Sequence, residues 1–407
     1  MKKQSLFIVV IIAVIVIVGA FFITNQNTLE EAAQDQKKIG FIYIGPPGDH
    51  GWTYMHDEGR KYMENELGDT ISTTYIENVP ENADAVRSIR KLADSGHDLI
   101  FTTSFNYMDQ TLEVAKEFPN VKFEHATGFQ RTDNVSTYSA RFYEGRTVIG
   151  HLAGKLTKTN TIGYIVSFPI PEVIRGINAF YLAASKVNPD IKIKIIWNYS
   201  WYDPGKEADA ANTLINQGAD IIVQHTDSYA PCQAAEKAGV LAFGQASNQE
   251  AFCPNSHMTS IEDVWGPYYA ARAQAVVDGT WSSQDTWQGF KEGMVEMSPY
   301  NKKLLSDDLI AEAIKIEKSI EDGTLHSFEG PIYNQAGELV IDLSKIDFLD
   351  SSGLGALVQT SKECKKLKLK FSVVGNSRVD QTIKLVRLGD FLNLKANLQE
   401  ALLFLKN

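Results

Sequence analysis

Between Gly45 and Arg60 the chain reads GPPGDHGWTYMHDEGR, crowding a carboxylate (Asp49), an imidazole (His50), an indole (Trp52) and a phenol (Tyr54) onto a stretch rich in glycine and proline. Aromatic planes beside a carboxylate suit the holding of a flat ligand. Rings stack on its faces, while a carboxylate that only accepts hydrogen bonds, or an amide that both donates and accepts, reads its edge. The segment before the loop, KKIGFIYI, has the β-branched and aromatic composition of a buried parallel strand, and YMHDEGRKYMENEL after it has helical periodicity. The aromatics therefore stand at the carboxyl end of a strand, where open α/β sheets bind ligands. The competing reading is an aromatic that covers its own half of the fold.

Further residues share that placement. Phe105 and Asn106 end the run DLIFTTSFN, and Phe168, Trp201, Asp227 and Gln245 each follow a strand-like run, so all can face one cleft. Each has a plainer alternative: Trp201 as a surface aromatic, Asp227 as the cap of the next helix, Arg175 as a partner for Glu172 on its own helix. Trp197 ends an apolar run and reads as core. An enzyme would need a constellation, and none is present. GHLAGKL is one residue short of a phosphate loop and lacks its Ser or Thr; no G-x-S-x-G, H-E-x-x-H or C-x-x-C occurs. Asp49, His50 and His56 lack a metal-ligand spacing, so neither metal nor other cofactor is expected. Cys232 and Cys253 would close a loop of about 20 residues if bridged, adding about 3 kcal/mol of stability; the alternative is two buried thiols.

The elements that must position these residues alternate. IGFIYI, ISTTYI, DLIFTT, VKFEH, TIGYIV, IKIKIIW, ADIIVQH and VLAFG read as strands, separated by helical patterns such as NADAVRSIRKLADSG and EVIRGINAFYLAASKVNP. Repeated strand–helix–strand units imply parallel sheets with right-handed crossovers. The series restarts at TNTIGYIVSF, which predicts two tandem Rossmann-like lobes joined by a hinge, the first over about 38–143 plus a later crossing helix, the second over about 144–262 plus later segments. With 407 residues the chain is too long for one core, and a net charge of −11 without a basic run argues against nucleic acid as a partner. The N-terminus differs: after MKKQ, the uncharged run Ser5 to Ile23 is long enough to span a bilayer, with lysines before it and carboxylates after. Residues 1–24 are thus expected to be a membrane anchor or a cleaved signal peptide, followed by a linker over 25–37, with the remainder extracytoplasmic.

GFIYIGPPGDHGWTYMHDEGR, SFPIPEVIRGINAF, WYDPGKEADAANTLINQGADIIVQHTD, FGQASN and WGPYYAARAQAVVDGTW lie in order along 38–337. Together they resemble the basic membrane protein family of ABC-transporter solute-binding proteins. The resemblance implies a type I periplasmic-binding fold, a purine base or nucleoside as ligand, and an ABC permease with its ATPase as partners. It assigns Trp52 to stack on the ligand and Asp49 to be its polar partner in the first loop, with Phe105 and Asn106 at the third strand-end. Nucleoside-binding relatives tend to carry a carboxylate where this chain has GQAS; Gln245 and Ser247 are uncharged there, which favours a free base such as adenine.

The tail, 338–407, resembles a STAS domain (the fold of anti-sigma-factor antagonists) through DLSKIDFLDSSGLGALV, with the first strand-and-helix region of such domains missing. Ser352 stands where those antagonists are phosphorylated, and the plainer reading of DSSG is a helix cap. Two functions follow: a receptor that delivers a purine to a permease, or a membrane-anchored purine sensor whose STAS-like tail contacts a protein partner. A nucleoside hydrolase is disfavoured by the missing catalytic carboxylate cluster.

Overall fold

The run KKIGFI folds as strand β1 (Lys37–Ile42), its last four residues buried, as expected for a strand covered by helices on both faces. The structure, a computed structural model, describes residues 36–329, 340–343, 349, 351–366 and 370–406. After β1 come α1 (Trp52–Leu67), β2 (Ile71–Ile76), α2 (Ala83–Asp94), β3 (Leu99–Thr102), α3 (Met108–Glu117), β4 (Lys122–Ala126) and β5 (Val135–Ala140). These strands pair in parallel in the order β2-β1-β3-β4-β5. The chain thus moves outward from β1 to β2, then back across β1 to β3. That reversal opens a crevice at the carboxyl ends of β1 and β3, and the loops leaving those two strands carry Trp52 and Phe105.

The second half repeats the scheme. It runs α4 (Tyr143–Leu156), β6 (Thr161–Val166), α5 (Pro171–Val187), β7 (Lys192–Trp197), α6 (Pro204–Asn216), β8 (Ile221–His225), α7 (Ala230–Ala238), β9 (Leu241–Ala246) and β10 (His257–Asp263). The sheet order β7-β6-β8-β9-β10 reverses at β6 and β8, whose exits carry Phe168 and Asp227. The chain then crosses back. Helix α8 (Gly266–Val277) packs on α1, and β11 (Asp285–Gln288) joins the first sheet beside β5. It returns as β12 (Val295–Met297), antiparallel to β10, followed by α9 (Asp307–Glu321).

The sequence reading missed β5, β10, β11 and β12. VSTYSA and HMTSIED are mixed in polarity, yet both are buried nearly throughout. Several of their hydroxyls are bonded inside the protein, so no alternation appears; the Arg272 guanidinium donates to Ser136 Oγ at 3.0 Å, and Thr259 Oγ1 donates to the Ser298 carbonyl at 2.7 Å. A central core runs through both sheets with Phe41, Phe101, Tyr164, Phe180, Trp265 and Tyr269. Separate cores lie under α2 and α3, and under α6 and α7. In the latter Cys232 and Cys253 are disulfide-bonded, their Cα atoms 5.8 Å apart. The two glycines of GHLAGKL lie inside α4, where a Cβ on either would strike the Phe180 or Ala184 carbonyl. They allow α4 and α5 to touch and form no phosphate loop.

Residues from Phe328 onward form a separate unit. Its described elements are β13 (Val340–Leu343), α10 (Ser351–Lys366), β14 (Ser372–Gly375), α11 (Ser377–Leu385), β15 (Leu394–Lys395) and α12 (Leu398–Lys406). The strands form a parallel sheet in the order β13-β14-β15 over a core of Leu357, Phe371, Val373, Val379, Ile383 and Leu392. Ser352 falls in the first turn of α10, but its side chain lies outside the described residues, as does the apolar run of Ser5 to Ile23. Among the described residues no helix is long and apolar enough to cross a membrane.

The crossing segment is tied to the first sheet by one buried carboxylate. Glu124 on β4 accepts from Arg272 Nε at 2.5 Å, Tyr268 OH at 2.6 Å and Trp281 Nε1 at 2.8 Å, and Arg272 lies over the Trp281 ring. Burial raises the Glu124 pKa while the Arg272 charge opposes it. Removing one member of a buried pair leaves the other uncompensated. Glu124→Ala is therefore expected to lower the unfolding free energy by about 3–5 kcal/mol, as measured by urea denaturation; a change within 1 kcal/mol of zero would refute that role for the network.

Candidate functional site

The glycine- and proline-rich loop after β1 is held from inside. Asp49 is fully buried, and its carboxylate accepts from the backbone N–H groups of Gly51 (2.8 Å), Thr53 (3.0 Å) and Tyr54 (2.9 Å). These are donors that the first turn of α1 cannot satisfy within the helix. Burial pushes Asp49 up to about 6, and the three N–H bonds pull against that rise. With the loop fixed, Trp52 sits at the start of α1 and donates from Nε1 to the Thr103 carbonyl at 2.6 Å. Its ring stands edge-on to His56 (4.4 Å) and Trp265 (5.5 Å). His56 stacks on Trp265 and bonds through Nδ1 to the Tyr269 hydroxyl; its burial lowers its pKa well below the usual range, so it supports Trp52 as a neutral ring.

The same loop closes onto the second sheet. Ser247 Oγ donates to the His50 carbonyl, and the His50 ring meets Tyr54 at 5.0 Å, Phe252 at 4.8 Å and Tyr229 at 5.9 Å. A Cβ on Gly51 would overlap the Asp227 backbone, so the two halves meet there without a side chain between them.

Between the halves lies a cavity lined from the first by Ile44, Trp52, Ser104, Phe105 and Thr127. Ile170, Glu172, Trp201, His225, Asp227 and Gln245 line it from the second. It holds about 400 Å³ of atom-free space, part of it open to solvent. Of the residues singled out in the sequence, Trp52, Phe105, Trp201, Asp227 and Gln245 meet here. Phe168 stands behind Trp201, ring centroids 5.3 Å apart, on an adjoining groove with Tyr199. Tyr54 joins the His50 cluster. Asn106 is exposed and donates from Nδ2 to Glu81 at 2.9 Å, while Asp49 points into its own loop.

The polar groups of the cavity differ in what they have left to offer. Arg146, buried on α4, donates to the Gln224 carbonyl at 2.9 Å and to Gln245 Oε1, which leaves the Gln245 amide NH₂ as a donor. Among the described residues the Trp201 Nε1–H and His225 Nδ1 are buried without a partner. His225 Nε2 lies 3.4 Å from Glu172 Oε1; burial lowers its pKa and Glu172 raises it, burial being the larger. Arg175, read as the partner of Glu172, instead lies over the Trp287 ring at 5.1 Å. Asp227 does not cap α7: the side chain that accepts there is Ser228, from Ala230 N at 3.2 Å. Sequence reasoning missed Glu172 and His225. His225 ends the strand run ADIIVQH beside Asp227, and that adjacency was the available signal. The backbone is left-handed at His50, Thr127 and Tyr199, on loops at or beside the cleft, and at Ala246, the last residue of β9. Non-glycine residues held this way concentrate at ligand sites.

A family model described as PnrA-like ABC transporter substrate-binding protein matches residues 36–327, and a STAS-domain model matches residues 266–401. A purine-binding protein of Brucella abortus is 56% identical over 305 residues, covering 75% of this chain and 87% of that protein. A putative ABC transporter glucose-binding protein of Haloferax volcanii is 34% identical over 293 residues, covering 72% and 74%. A solved solute-binding protein from Aeropyrum pernix K1 aligns with a TM-score of 0.64 at 17% identity, over 80% of this chain and 98% of that one, a likeness of fold alone. These relatives are substrate-binding proteins and not enzymes.

The Asp49 carboxyl holds its proton more tightly when folded than the ordinary value of 3.8 would allow. Its contribution to stability is full below about pH 4 and lost as pH rises through about 6. The unfolding free energy of the wild type relative to Asp49→Asn is expected to fall by about 1–3 kcal/mol over that window. A pH-independent difference in denaturation midpoints would contradict it.

Proposed function

Because the chain belongs to the family of PnrA-like substrate-binding proteins of ABC transporters, we propose that it captures a purine base, adenine or a close relative, between its two sheets and delivers it to a membrane permease. The observation that carries this reading is a cavity walled by indoles and a phenyl ring, Trp52 and Phe105 from one half and Trp201 from the other. A flat heterocycle held against such rings gains about 1–3 kcal/mol for each ring stacked on it. The Gln245 NH₂ and the Asp227 carboxyl are the groups placed to read its edge. Ser247 Oγ donates to the His50 carbonyl, and Gln245 Oε1 accepts from Arg146. Both groups are uncharged and offer sugar hydroxyls weaker contacts than a carboxylate would, which supports a base over a nucleoside. The kinship with the purine-binding protein of Brucella abortus points the same way.

Binding proceeds by hinge closure of one half onto the other, with His50, Gly51 and Ser247 as the surfaces that meet. Substrate-binding proteins of ABC importers work outside the cytoplasm, and the apolar run from Ser5 to Ile23 would export the chain or hold it at the outer face of the membrane. Transport energy comes from the partner ATPase, so the chain itself uses no cofactor. A second reading rests on the separate C-terminal unit with its own core and on the STAS-domain match: a membrane-held sensor in which that unit contacts a protein partner.

Trp52 packs against His56, Phe142 and Trp265, so its removal would also disturb the fold. Trp201 is the cleaner probe. Trp201→Ala is expected to weaken adenine binding by at least tenfold in calorimetry, with a small change in melting temperature. Mass spectrometry of the co-purified ligand should find a purine; a sugar in its place would overturn the assignment.

A further inference from the structure

Asp227 lies in the cavity wall, only 6% exposed, and among the described residues no protein group hydrogen-bonds to its carboxyl. The acidic groups around it are differently placed. Asp49 accepts three backbone N–H groups. Glu207 accepts from Asp203 N (2.9 Å), Ser228 N (3.1 Å) and Ser228 Oγ (2.7 Å). Asp263 and Glu81 add further negative charge, Glu172 and His225 line the same cavity, and among the described residues no arginine or lysine is paired with Asp227. An ionised carboxylate without a donor, buried among other carboxylates, is the costliest arrangement of these groups. Burial first, and the Asp49 charge next, raise the Asp227 pKa well above the usual carboxylate range.

We propose that Asp227 serves as a neutral carboxylic acid, its O–H donor and C=O acceptor side by side, pairing with a heterocycle edge that shows an acceptor next to a donor. This rests on the purine reading above and sharpens it. The ring nitrogen beside the exocyclic amino group of an aminopurine matches such an edge, with one hydrogen bond running each way. A charged carboxylate could only accept, and would prefer two parallel N–H donors. The acid thus selects by the pattern of the edge, while the stacked rings stay indifferent to it.

The test uses the full chain with adenine as probe. Asp227→Ala should weaken binding about thirtyfold, the loss of two hydrogen bonds. Asp227→Asn, an amide that also donates and accepts, should recover at least tenfold of that loss. Infrared spectra of the ligand-free protein at pH 7 should show the carbonyl stretch of a protonated carboxyl that is absent in Asp227→Asn. An Asn variant as weak as the Ala variant, or no such band, would overturn the proposal. If the wild type binds no purine, the functional reading and the edge pairing fall together, and the infrared band still decides the state of Asp227.

Discussion

The cleft depends on how the residues from Gly45 to Gly51 are held, and one buried carboxylate holds them. Asp49 gathers the N–H groups of Gly51, Thr53 and Tyr54, so a segment whose composition favours disorder becomes a fixed support. Trp52 enters the cavity from that support, His50 leans on the second half from it, and Gly51 rests on the Asp227 backbone. Were the loop free, each of these contacts would have to be ordered afresh, at about 1–2 kcal/mol per residue in backbone entropy alone.

Beneath that loop the wall belongs to neither half by sequence. Trp265 and Tyr269 come from the segment that crosses back after β10, yet they carry His56 and, through it, Trp52. Glu124 fastens the same segment to β4 through Arg272 and Tyr268. The first half thus takes its rigidity from residues that follow the second in the chain. Among the polar atoms near the cavity, those at Asp49, Glu207 and Gln245 Oε1 are bonded within the protein, while Trp201 Nε1 and His225 Nδ1 have no partner among the described residues.

Much of the architecture was legible in the sequence, because parallel strands under helices must be apolar runs and helices must stop. ISTTYI and TIGYIV lie within the strand bounds seen in the structure. Trp52, Phe105, Trp201, Asp227 and Gln245, which line the cavity, were placed at a cleft from strand ends, Trp52 also from the family resemblance. What failed to show has a physical cause in each case. VSTYSA and HMTSIED are strands whose polar residues are buried with partners distant in sequence, so no periodicity betrays them. Asn106 and Tyr54 sit at strand or helix starts beside true lining residues, but their side chains turn to Glu81 and His50. Direction of a side chain from a loop depends on φ and ψ, as at Thr127 and Tyr199, and composition does not specify them.

Contact between Gly51 and the Asp227 backbone fixes how near the two halves stand. A Cβ at position 51 would overlap the Asp227 carbonyl oxygen, so the spacing of the cavity walls depends on the absence of one carbon atom. Any larger residue there would wedge the halves apart without touching the cavity itself.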